Sequence, residues 1–306
     1  MGEGFEVDFL GTGGGAICVR YGAPGQYRVM IYECATREAG EAAVEHVRRR
    51  YETDRVDFLV ASNPDVRRTA GLEVILDELE VGQFWMHRPW EHSEELFLQL
   101  VGLRPPGDVA GERLKWTLAA MFDLQEIAAA RGIRVLEPFK GAQIGAFHVM
   151  SPDQEWYAHS LLPRFVEAPG DDAATSARNE SSVVLIGEIG DRKLLLTGDA
   201  GVRALTATAD YAKAVGVSLP RTLDFVQIPH GGCREHVSPG VLDRLIGSKR
   251  KDAAGERPRT AFVLTADSTA LPHETAVEGF RRRGWKVVGT GGQCIRYGAG
   301  MPDRTA

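Results

Sequence analysis

Apolar positions along this chain fall into two periods that take turns. Short runs at residues 5–10, 16–21 and 27–32, separated by the turns Gly11-Thr12-Gly13-Gly14-Gly15 and Ala23-Pro24-Gly25, predict three strands in succession. Further strands are predicted at 58–61, 134–136, 146–150, 182–186, 193–197, 225–228, 261–265, 286–288 and 293–297. A helical period predicts helices at 37–51, 70–79, 93–103, 112–131, 201–214, 239–246 and 274–283. Strand and helix alternate, which argues for an α/β protein. Residues 166–181, rich in Asp, Ala, Ser and Gly, and residues 248–259 read as long surface loops. Neither separates two self-sufficient halves and no repeat is visible, so a single domain over 1–306 is expected.

Composition narrows the class. With 306 residues, 43% hydrophobic and 25% charged, the chain is an ordinary globular one able to bury a substantial core. No run reaches the roughly 18 apolar residues of a membrane span. The segment Met1-Gly2-Glu3-Gly4-Phe5-Glu6 has neither the basic nor the apolar part of a secretory signal, so a cytoplasmic setting is expected. Cys18, Cys34, Cys233 and Cys294 are far apart, and three fall in or beside strand-like runs. Buried free thiols are the expectation. The net charge is −6. The basic clusters Arg48-Arg49-Arg50, Lys249-Arg250-Lys251 and Arg281-Arg282-Arg283 read as solvated faces, and a negative field does not steer a polyanion, so nucleic acid is not an expected partner.

The chemistry concentrates at Ser62-Asn63-Pro64-Asp65-Val66-Arg67-Arg68-Thr69-Ala70-Gly71-Leu72, which follows the apolar run Val56-Asp57-Phe58-Leu59-Val60-Ala61. It resembles the signature turn of the metallo-β-lactamase superfamily, Ser-His-Pro-[His/Asp]-x-Asp-His-x-Gly-Gly-Leu, with most ligands replaced. Asn63 stands at the first His, Asp65 at the second ligand, and Arg67 and Arg68 at the Asp-His pair. Later segments fall in the order of one branch, the hydrolase domain of bacterial competence DNA-uptake channel proteins and its stand-alone relatives. They are Asn179-Glu180-Ser181-Ser182-Val183-Val184-Leu185, Leu194-Leu195-Leu196-Thr197-Gly198-Asp199, Val226-Gln227-Ile228-Pro229-His230-Gly231-Gly232 and Leu271-Pro272-His273-Glu274.

The resemblance covers most of residues 5–298. It implies an αββα sandwich, two mixed sheets face to face with helices outside, and a site where strand ends converge. It also implies that Asp199 stands where active members bridge two metals, and His230 where they place the late His ligand. Active members need about two ligand clusters to hold zinc, manganese or iron and to lower the pKa of a bound water toward ~7. Here only Asp65, Asp199 and His230 keep ligand chemistry, with Asn63 offering a weak amide oxygen. A guanidinium has no lone pair to donate, so Arg67 and Arg68 cannot ligate; they can pair with Asp65 or Asp199 or hold an anion. The positions that the resemblance implies support the ligands from behind, Gly15 and near Tyr32 or Glu33, differ from the family's Asp as well.

The expected function is therefore a non-catalytic binding or complex component, its ligand a protein partner or an anionic small molecule, with no resident cofactor. The alternative is a hydrolase of phosphodiesters or other esters using one zinc or manganese ion at Asp65, Asp199 and His230. No Gly-x-Ser-x-Gly turn or Walker loop is present, and Cys233, three residues after His230, is a weak nucleophile candidate. The dense run Phe84-Trp85-Met86-His87-Arg88-Pro89-Trp90-Glu91-His92 reads either as a pocket wall or partner-binding loop, with His87 and His92 as acid/base groups or replacement ligands, or as core. Core is the favoured reading, with Trp85 and Trp90 as anchors and His87 and His92 as satisfied polar groups. His148 reads as core, His159 and His236 as surface groups, and His273 equally as a helix-start residue or a site residue. The glycine-rich turn at 11–15 opens a strand and not a helix, so it reads as a tight hairpin with no phosphate role.

Overall fold

The chain is described by a computed structural model, in which residues 3–12, 15–65, 69–103, 107–168, 176–250, 258–264 and 272–301 are described. The strands are β1 (Gly4–Leu10), β2 (Ala16–Gly22), β3 (Arg28–Cys34), β4 (Arg55–Val60), β5 (Glu80–Trp85), β6 (Arg134–Leu136) and β7 (Gln143–Ile144). They continue with β8 (Phe147–Ser151), β9 (Val184–Ile189), β10 (Arg192–Leu196), β11 (Leu223–Gln227), β12 (Thr260–Val263), β13 (Lys286–Gly289) and β14 (Ile295–Ala299). They form two seven-stranded sheets, ordered β14-β1-β2-β3-β4-β5-β6 and β13-β12-β11-β10-β9-β8-β7. Both are mixed. In the first, β14 to β3 pair antiparallel and β3 to β6 parallel. In the second, β7 to β10 pair antiparallel and β10 to β13 parallel.

Alternation along each strand builds the layers. Phe5, Val7 and Phe9 of β1 meet Phe147, Leu194, Phe225 and Phe262 in the core between the sheets. Cys18, Ile31 and Leu59 turn the other way, onto the helices Arg37–Arg50 and Ala70–Glu78. Val184, Ile186 and Val226 likewise pack on Val202–Ala214 and Pro239–Ile246. The arrangement is helix, sheet, sheet, helix, as expected. Each fully buried apolar side chain contributes about 1.5–3 kcal/mol, so the three cores together supply the drive to fold. The helix Arg37–Arg50 starts where Thr36 accepts from the Ala39 N–H, which satisfies one of its orphan donors.

Alternation also turns Glu6 and Asp8 of β1 toward the helical layer, where both are fully buried. Arg20 and Arg296 reach opposite oxygens of Glu6 at 2.6 Å each, while Tyr51 donates to Asp8 at 2.7 Å and His46 lies 3.1 Å from it. Buried carboxylates survive only with such partners.

Several single-residue expectations are corrected. His148 is exposed, because Phe147 and Val149 take the inward positions of β8. Arg283 is 1% exposed, held by Asp243 and by the carbonyls of Gly279 and Pro239, and so leaves the solvated basic face. Only Cys18 and Cys34 of the four thiols are buried; Cys294 is exposed. The strand β5 and the short helices Pro89–His92 and Ala177–Glu180 were not anticipated. No helix among the described residues is long and apolar enough to cross a membrane.

Candidate functional site

The C-terminal ends of β3, β4, β10 and β11 converge at one edge of the sandwich, where α/β folds gather their polar groups. Glu33, at the end of β3, has a left-handed backbone with φ of 63°, a conformation a side chain adopts at a cost. Its carboxylate is buried and accepts from the Ser62 hydroxyl at 2.6 Å and from the Gln227 amide at 3.3 Å. Gln227 in turn accepts from the Thr197 and Gly198 N–H groups at 2.9 and 3.0 Å. Gly198 has φ of 54°, and a Cβ there would sit 2.8 Å from the Tyr32 hydroxyl, so this turn admits only glycine.

Asp199, 3% exposed, follows that turn and accepts from Asn63 Nδ2 at 3.0 Å. The opposite amide orientation would set two oxygens against each other, so this assignment is the chemically consistent one. Asp65 is 4% exposed, with the Arg178 guanidinium 4.0 Å from it. Two further stitches join the layers here: the Val183 N–H donates to the Ser62 carbonyl at 2.7 Å, and the Tyr32 hydroxyl donates to the Val183 carbonyl at 2.7 Å. Arg67 and Arg68 lie outside the described residues, so their expected pairing with Asp65 or Asp199 has no geometry to report.

The late histidine sits on an unusual turn. His230, Gly231 and Gly232 all have positive φ, at 47°, 61° and 84°, and the His230 N–H donates to the Gly198 carbonyl at 3.0 Å. A Cβ on Gly232 would meet Pro272 Cβ at 2.5 Å, which fixes the glycine. This left-handed stretch swings the next turn, Arg234–His236, back against the Thr-Gly-Asp turn. His236 is therefore fully buried, not a surface group as its position beside a loop suggested. Its Nδ1 pairs with the Ala200 carbonyl at 3.3 Å, and its ring stacks on His230 with centroids 4.3 Å apart. Desolvation, then the neighbouring His230, push its pKa down to about 4, so it is neutral at pH 7.

Cys233 lies between them, and the ligand atoms of His230, Cys233 and His236 all fall within 4.8 Å of one another. The Cys233 thiol donates to Glu235 Oε2 at 2.8 Å; burial and that carboxylate raise its pKa, so it is a protonated thiol and not an activated nucleophile. His230 Nδ1, His236 Nε2 and Asn63 Oδ1 are buried without hydrogen-bond partners among the described residues. Sequence reading assigned His230 to a site, weighed Cys233 beside it only as a weak nucleophile, and missed His236. The signal was present in the His-x-x-Cys-x-x-His spacing.

The aromatic run after β5 is core. Trp85 and Trp90 are each 7% exposed, and His87 is 2% exposed, stacked on Tyr157 at 4.6 Å. His92 pairs with Glu137 at 2.9 Å. His87, expected to be a satisfied polar group, has no hydrogen-bond partner on either nitrogen among the described residues. His273 caps the helix Glu274–Arg281, the first of its two readings, and His159 is exposed. A cavity of about 20 Å³ beside Pro64, lined by Arg113, Arg164 and Arg178, has room for a single water.

No protein-family model and no curated protein matches this chain. Solved structures do. YhfI from Bacillus subtilis, a metallo-β-lactamase fold protein, aligns with 97% of this chain and 100% of its own at 8% identity and a TM-score of 0.49. Zn²⁺-bound PqqB from Methylobacterium extorquens aligns with 92% of this chain and 86% of its own at 13% identity and a TM-score of 0.45. The E377D mutant of the β-hydroxylase CmlA aligns with 96% of this chain at 12% identity and a TM-score of 0.45; this chain spans 53% of that protein's length. The likeness is one of fold. Nothing about ligands or chemistry is carried across at these identities.

Proposed function

We propose that this chain is a metallo-β-lactamase-fold protein that has given up two-metal catalysis and acts by binding, its target a protein partner or an anionic small ligand. The observation that supports this reading is the contact between Asn63 and Asp199. The carboxylate that the superfamily resemblance places between two metals accepts an amide hydrogen at 3.0 Å, which takes one of its lone pairs. Its buried neighbour Glu33 accepts from a hydroxyl and a second amide. Protein donors thus do for these acids part of what cations do in a hydrolytic centre. In this reading Arg67 and Arg68 supply the positive charge that an anion meets.

A second reading is a hydrolase with one metal at Asp65, Asp199 and His230. It is favoured by the bond from the His230 N–H to the Gly198 carbonyl, which ties the His230 turn to the turn that carries Asp199. Metal analysis and phosphodiesterase assays on the purified chain separate the two. The binding reading expects no metal that depends on Asp199, no turnover, and a thermal shift with phosphate or nucleotides that vanishes in an R67A/R68A double variant. Near-stoichiometric zinc or manganese, lost together with phosphodiesterase turnover in D199A, would overturn it.

A further inference from the structure

We infer that His230, Cys233 and His236 form a binding site for one zinc ion, held by two imidazoles and a thiolate. This goes beyond the proposed function, which concerns the carboxylate pocket, and does not depend on it. The three ligand atoms come from two consecutive tight turns, and all lie within 4.8 Å of one another. Tetrahedral zinc with bonds of about 2.0–2.1 Å to nitrogen and 2.3 Å to sulfur sets its ligand atoms roughly 3.5 Å apart. Rotation of the His230 and Cys233 side chains closes that gap, since both are partly exposed, while His236 stays fixed.

His236 carries the inference furthest. A fully buried imidazole whose Nε2 has no hydrogen-bond partner among the described residues costs free energy unless something meets that lone pair. Its other nitrogen faces the Ala200 carbonyl, the contact that fixes the tautomer and aims the free lone pair in zinc-binding histidines. His230 Nδ1 is the second buried nitrogen without a partner, and the two rings stand face to face. Neutral imidazoles and a sulfur select zinc over magnesium or calcium, which prefer oxygen.

Binding forms two Zn–N bonds and one Zn–S bond and breaks the Cys233 S–H bond. The proton passes to water, with Glu235, which already accepts the thiol's hydrogen bond, as its first acceptor. Three protein ligands leave the fourth position for a water or for an anionic group of a ligand.

The test uses the full chain, purified metal-free, with zinc chloride and cobalt(II) chloride as probes. One equivalent of zinc should bind, raise the melting temperature, and weaken about 100-fold or more in C233S. The cobalt complex should show the near-ultraviolet thiolate-to-cobalt charge-transfer band, absent in C233S and retained in D65N. Cys233 is partly exposed, so C233S keeps the fold, which circular dichroism verifies; H236Q is the second variant and should lose the ion as well. No zinc binding, equal affinity in C233S, or a cobalt complex without the thiolate band would overturn the site. Loss of zinc in D65N with retention in C233S would move the ion to the carboxylates and support the one-metal hydrolase reading instead.

Discussion

The molecule holds two pairs of packed histidines, and they differ in one contact. His87 and His92 sit among Phe139 and Tyr157 behind the first sheet; His230 and His236 stack at the edge where the strand ends meet. In each pair the deeper imidazole is held neutral, His87 down to about 3 and His236 down to about 4, with desolvation the leading cause in both. His236 has a backbone carbonyl on one nitrogen and a thiol and a second imidazole near the other. His87 has aromatic rings on its faces, and its neighbour Tyr157 has a buried hydroxyl that also lacks a partner among the described residues. Burial alone removes the proton. Orientation by a second group is what turns a neutral imidazole into a ligand.

Acid should expose the larger half of this contrast. The unfolded chain protonates His87 near pH 6.5, whereas the folded chain resists until about pH 3. Between those values the unfolded state holds more protons, so stability is full above pH 6.5 and falls as pH drops, by about 5 kcal/mol from this residue. Urea unfolding across pH 7 to 3.5 should show that loss, and H87F should remove most of it. An unchanged pH dependence in H87F would mean that His87 is not the group responsible.

The edge responds to charge where the box responds to burial. Asn63→Asp sets a second carboxylate against Asp199 in place of an amide hydrogen, and should cost about 3 kcal/mol without added metal. Manganese should recover much of that stability in the variant, and leave the parent unchanged if protein donors already satisfy the acids. Denaturant midpoints with and without the ion decide this.

Much of the fold was legible because its signals are periodic. The helices Arg37–Arg50 and Pro239–Ile246 and the three N-terminal strands fall within a residue or two of expectation. The strand β5 was lost because Glu-Val-Gly-Gln-Phe-Trp follows the helical run without a break and carries a glycine in mid-strand. At the site, Asp65, Asp199, Asn63 and His230 were singled out through a motif frame, and of these Asn63 and Asp199 are in contact. His236 was misread because its burial depends on three successive left-handed residues, and no local pattern announces that a histidine is allowed at φ of 47°. Arg283 escaped for a related reason: its neighbours Arg281 and Arg282 are exposed, and the turn that ends the helix Glu274–Arg281 carries Arg283 inward.

Smaller effects sharpen the contrast. Glu137→Gln weakens a polar anchor of the cluster of His87, His92, Phe139 and Tyr157, the pairing of Glu137 with His92 and with the Arg88 N–H, and should cost about 1–2 kcal/mol in thermal unfolding. Cys233→Ser without metal should change stability by less than about 0.5 kcal/mol, because its thiol makes only a surface bond to Glu235. A large loss in the metal-free variant would give the thiol a packing role in place of a ligand role.

The two hydrogen bonds through Val183, one to Ser62 and one from Tyr32, tie opposing layers together at the edge where the polar groups gather. Sliding one layer over the other would break both in a water-free setting. Whatever docks at this end therefore meets a clamped floor, and adjustment falls to the side chains and turns above it.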